Sequence, residues 1–102
     1  MMPYEHYVHF LIGRIFKLLP LREKTELGAD LFLDIYIDDL ANDVVGAMTT
    51  FPELREIASF VGSANSLNYM RHHWRDMEFA AYRSSVLKMT NGLSRVVEEV
   101  AE

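Results

Sequence analysis

FAAYRSSVLKMTNGLSRVVEEV, residues 79–100, carries the clearest periodicity in the chain. Phe79, Tyr82, Val86, Met89, Leu93, Val96 and Val100 recur at alternating steps of three and four over three heptads, the seam of an amphipathic helix. Asn91 and Gly92 fall inside it, and a mid-helix glycine costs about 1 kcal/mol. The seam keeps phase across the pair, so the spacing predicts one helix rather than two. Such a stripe must be laid against other helices.

The chain upstream supplies them. Residues 4–19 place Tyr4, Val8, Leu11, Ile15 and Leu18 at helical steps, with a second apolar set, Phe10, Ile12, Phe16 and Leu19, elsewhere on the wheel. A helix apolar on so many sides is expected at the centre of a bundle. Residues 29–48 repeat the pattern through Leu33, Ile37, Leu40, Val44 and Ala47. The three prolines read as punctuation: Pro3 and Pro52 in first turns, and Pro20 ending the first helix at Leu19. Residues 21–28 read as a connector with room for a helical turn. Thr50 and Glu53 form a capping-box pattern ahead of a third helix over 51–61, with Leu54, Ala58 and Val61 inward. Gly62, Ser63, Asn65 and Ser66 predict a break or bend before a further helical stretch to Trp74. No stretch alternates at period two for long enough to make a strand. The expectation is an all-α fold over residues 1–102. It is a single antiparallel bundle of four main helices, with an extra short helix or bend near 62–76.

The 102 residues suffice for one small domain, and half of them are hydrophobic, which excludes a disordered-type composition. There is no cysteine, so disulfides, thiolate nucleophiles and cysteine-based zinc sites are excluded. The net charge of −5 argues against a general nucleic-acid binder. That charge is unevenly spread: residues 26–56 carry −7, whereas residues 57–95 carry +3. The apolar run near the start is too short for a bilayer span and contains Arg14 and Lys17. Each would cost about 2.5–3.5 kcal/mol at the bilayer centre. The run also lacks the basic region and cleavage site of a secretory signal, so a cytoplasmic location is expected.

Three clusters carry candidate chemistry. Asp30, Asp34, Asp38, Asp39 and Asp43 place five aspartates within fourteen residues of the second helix. Aspartate is a poorer helix former than glutamate, so this density suggests a contact surface for a basic protein partner. Arg71, Trp74 and Arg75 form a second candidate surface: the arginines, four apart, suit an anion, and the indole suits an anchor or a stacked base. His6 and His9 share a helix face, but no Glu-x-x-His motif accompanies them, so no metal or cofactor is expected. No serine lies in a nucleophile-elbow or phosphate-loop context, so no enzyme is expected. Where the first helix is left bare by its own chain, Tyr7, Phe10 and Phe16 are the expected homodimer contact.

The function these features favour is non-enzymatic binding of a macromolecular partner through the acidic face and the Arg/Trp corner. One alternative is a nucleic-acid-binding transcriptional regulator using Arg71, Arg75 and Trp74. Another is a metal-dependent helical-bundle enzyme. In size and helix count the chain resembles small bacterial and phage bundle proteins such as bacteriocin immunity proteins and phage-encoded inhibitors, which implies an inhibitory role. No motif is shared that would carry residue roles across.

Overall fold

The structure, a computed structural model, describes residues 4–100, with the side chains of residues 99 and 100 left aside. The first-turn role expected of Pro3 therefore lies outside the described residues. The fold is all-α, as its apolar periods require. Helices α1 (Glu5–Phe16), α3 (Asp30–Thr50), α4 (Ala58–His73) and α5 (Phe79–Val100) form an elongated bundle of 43 × 22 × 19 Å. Short α2 (Leu18–Lys24) and 3₁₀ turns at Thr25–Leu27, Pro52–Glu56 and Trp74–Asp76 complete it. Around the bundle the order is α1, α5, α4, α3, so α3 lies diagonally across from α5. Pairings of Asp38 with Arg71 and Asp34 with Arg75 run in opposite chain directions, which makes α3 and α4 antiparallel.

Five of the seven seam positions of α5 are buried, Tyr82, Val86, Met89, Leu93 and Val96, while Phe79 is exposed at the first turn and Val100 lies outside the residues whose side chains are described. The buried five meet Val8, Leu11, Ile15 and Leu18, Leu33, Ile37, Leu40 and Val44, and Phe60, Leu67 and Met70 in one core. The Tyr82 hydroxyl donates to the Leu18 carbonyl at 2.7 Å, and burial pushes its pKa well above the ordinary tyrosine value.

Several sequence expectations are corrected. The first helix is not covered all round: one seam is buried, and Phe10 and Phe16 are exposed. Nor does it run to Leu19. It stops at Phe16, and Pro20 sits in the first turn of α2. Proline has no N–H to offer the Phe16 carbonyl, so α1 cannot continue through it, but a first turn needs no such donor. After α2, Gly28 takes a left-handed backbone (φ 91°) that ends the 3₁₀ turn and frees the chain to enter α3.

The capping box does not form. Thr50 is the last residue of α3, and no side chain caps the following turn. Pro52 instead holds Phe51 out of the helical region (φ −124°, ψ 82°), which separates α3 from the next turn. The helix expected over 51–61 is a 3₁₀ turn, an extended Ile57 and then the start of α4. The break expected at 62–66 is also absent, since those residues lie in the middle of α4. The true interruption is the 3₁₀ turn at Trp74–Asp76. There Arg22 reaches across from α2 to donate to the carbonyls of Trp74 (3.1 Å) and Met77 (2.6 Å). The Trp74 carbonyl also accepts the Met77 N–H at 3.3 Å, so Arg22 adds a second donor there and ties both ends of the turn to α2.

Candidate partner-binding face

Both charged clusters belong to one structure, because α3 is held along its edges by arginines. Its buried positions, Leu33, Ile37, Leu40, Ala41, Val44 and Ala47, fix how the helix is rolled. The remaining positions follow at about 100° per residue. Asp30, Asp34 and Asp38 then border the α4 side, and Asp39 and Asp43 border the α1 side.

On the α4 side, Arg71 Nε donates to Asp38 Oδ1 at 2.7 Å, and Arg75 Nη1 to Asp30 Oδ2 at 3.0 Å. Arg75 Nη2 also pairs with Asp34. The other oxygen of Asp34 accepts the Trp74 indole N–H at 2.7 Å. Trp74 is only 4 % exposed, and the Arg75 guanidinium lies over its ring, 4.7 Å from the centroid. Hydrogen bonding to Asp34, joined by the charge of both aspartates, raises the Arg75 pKa.

On the α1 side, Arg14 Nη2 donates to Asp39 at 2.8 Å while Nη1 pairs with Asp43. The Arg14 side chain is 14 % exposed. Burial alone would lower its pKa, but the hydrogen bond and charge of Asp43, with the charge of Asp39, outweigh this and raise it. Tyr36 donates to the Arg14 carbonyl at 2.6 Å, and Tyr7 to the Asp43 carbonyl at 3.3 Å.

The sequence therefore identified all five aspartates and the Arg71/Trp74/Arg75 corner as features, and the structure brings them together. It does not leave them as two separate surfaces. Arg71 and Arg75 do not converge on an empty anion position, since each faces carboxylates already. Trp74 cannot stack a base without leaving the core. Arg14 and Tyr36 were missed as members. Arg14 lies 25 and 29 residues from its partners, and no local spacing signals such a pair.

Between the two aspartate rows, α3 turns an apolar ridge outward. Leu31 and Ile35, four residues apart, are 71 % and 60 % exposed, and neighbouring Phe32 is 57 % exposed. Phe32 touches Tyr36, with ring centroids 6.4 Å apart. Arg14 lies over both Tyr36 and Phe10, at 5.9 and 5.6 Å from the ring centroids. Phe10, 58 % exposed, thus joins the ridge across Arg14. Phe16 does not. Six residues on from Phe10, it points about 120° away around α1. Tyr7 is half-buried against Phe51. Tyr7 also meets Phe10, with ring centroids 6.4 Å apart, so of the three residues expected to self-associate these two lie together and Phe16 faces elsewhere.

Among the described residues, no three or more His, Asp or Glu side chains gather in an arrangement that could hold a metal ion. None of their helices is long and apolar enough to cross a membrane. No protein-family model, curated protein or solved structure matches the chain.

Proposed function

We propose that this is a small non-enzymatic binding protein whose outward α3 face docks a protein partner of mixed apolar and basic character. The observation that carries the reading is the ridge of Leu31, Phe32 and Ile35, large apolar side chains held in water between two rows of carboxylates. An exposed apolar patch with a polar rim is the usual anatomy of a recognition surface. Five aspartates meet three arginines here, so the face keeps an acidic excess after internal pairing. That excess favours a basic partner and steers its approach. It also disfavours a second copy of the chain, which would bring the same acidic rim against its own. The pairing arginines fix the aspartates in place, so little side-chain freedom is lost on docking.

The test is capture from source-cell extract on immobilised protein, followed by titration of the purified captured species. The double variant Leu31→Asp/Ile35→Asp, with unchanged circular dichroism, is expected to weaken that species at least tenfold. Asp39→Lys should slow its association more than it speeds dissociation. Undiminished affinity in the double variant overturns the reading. A concentration-dependent dimer by light scattering, lost with Phe10→Asp, would replace it with self-association through the first helix.

A further inference from the structure

A second surface, sharing no residue with the α3 face, lies in the groove between α4 and α5. We infer that this groove binds a phosphate-bearing small molecule. It has a volume of about 430 Å³ and is lined by Ser59, Gly62, Ser63 and Ser66 from α4 and by Lys88, Asn91, Gly92 and Arg95 from α5, with Met89 at its floor. Pockets that hold small ligands run from about 300 to about 1,000 Å³.

Three independent features give it a chemistry. The first is charge. Arg14, Arg71 and Arg75 are taken up by carboxylates, whereas Lys88 and Arg95 make no ion pair among the described residues. They stand seven residues apart on one side of α5, about 10 Å along its axis. Residues 57–75 and 79–97 contain no Asp or Glu, so both walls are free of acid. The nearest acids along the chain, Glu56 and Glu98, are outside the lining.

The second feature is an orphaned hydroxyl. Ser59 Oγ is shut away from solvent without a hydrogen-bond partner, the single such side-chain atom among the described residues. A buried hydroxyl without a partner costs about 1–3 kcal/mol. Ser59 lines the groove, so a turn about its χ1 bond would bring this hydroxyl to a ligand oxygen there and satisfy it. Its neighbour Ser63 differs, since its hydroxyl is engaged with the carbonyls of Ser59 (3.0 Å) and Met89 (3.1 Å). Thirdly, Ser59 stands in the first turn of α4, where the helix dipole presents its positive end. Guanidinium, ammonium, hydroxyl and amide donors around one opening are the set that recognises a phosphate group. The size of the groove leaves room for the organic part of a monoester.

The experiment is a titration of the ¹⁵N-labelled full chain with inorganic pyrophosphate and with glucose 6-phosphate, each against sodium chloride of equal ionic strength. Saturable amide shifts confined to residues 59–66 and 88–95 are expected, with millimolar or tighter affinity. Lys88→Ala/Arg95→Ala, both at exposed positions, should reduce that affinity at least tenfold with circular dichroism unchanged, and Ser59→Ala threefold or more. Shifts that follow ionic strength alone, or that appear equally at Lys17 and Lys24, overturn the proposal. So does a single-stranded oligonucleotide that binds the same residues far more tightly with a steep salt dependence, which would assign the groove to nucleic acid. None of these outcomes depends on the α3 face.

Discussion

Helix α4 is closed against two neighbours by opposite means. Toward α3 its last turn and the following 3₁₀ turn use long polar side chains: Arg71, Arg75 and the Trp74 indole each reach an aspartate. Toward α5, beside the core, it uses small side chains. Ser59 and Ser63 come so close to Gly92 that a Cβ there would lie 2.5 Å from Ser63 Oγ and 3.1 Å from the Ser59 carbonyl. The polar seam sits at the rim and is mostly wet, so its ion pairs contribute little and its stability rests on Trp74. The small-residue seam borders the open groove and depends on an atom that is missing. Charge patterning thus sets where α3 lies at its edges, and the absence of side chains sets how near α5 can come.

The contrast breaks most visibly at Trp74. Trp74→Ala is expected to cost about 3–5 kcal/mol in urea unfolding, since it empties the core end and leaves Asp34 without its indole donor. Next comes the other seam. Gly92→Val should destabilise by about 2–3 kcal/mol, because overpacking forces the two helices apart. Gly92→Ala should cost less, since the gain in helix propensity offsets part of the clash. Combining Gly92→Ala with Ser63→Ala removes the nearest clashing atom, so the pair should be less destabilised than the two single effects added. Strict additivity would mean that the close approach is not what holds α4 to α5.

These two seams also differ in how far the sequence discloses them. α5 is legible because its stripe is narrow and in phase, so one period accounts for its buried hydrophobic positions, and Thr90 is buried beside the stripe. α4 is not. Gly62, Ser63, Asn65 and Ser66 have the composition of a turn, and Gly92, meeting Ser63 from 29 residues away, lets the same stretch pack as a helix against α5. Tertiary packing overrides local propensity there. In α1, two apolar sets read as burial on all sides, whereas Phe10 is left outside beside Arg14. The spacing of the aspartates was visible, and their density set α3 apart from the other helices. Their arginines were not assignable, because helix periodicity orders residues within one helix and says nothing of which helix lies opposite.

The smallest effect sharpens the comparison from the charged side. Arg71 and Asp38 are paired at 2.7 Å, yet their side chains are 32 % and 56 % exposed. Water and salt screen such a pair, so Arg71→Asp alone should cost about 0.5 kcal/mol, and less in 0.5 M salt. The swap Arg71→Asp/Asp38→Arg should recover that loss while leaving net charge unchanged. Stability and recognition then separate. A partner that reads the acidic rim should bind the stable swapped protein more weakly, because position 38 on the α3 face now carries a cation. A partner that reads only the apolar ridge should not. If the swap fails to restore stability, the seam depends on the geometry of this one pair rather than on opposite charge, and the aspartates of α3 would be better understood as parts of the fold than as parts of a docking surface.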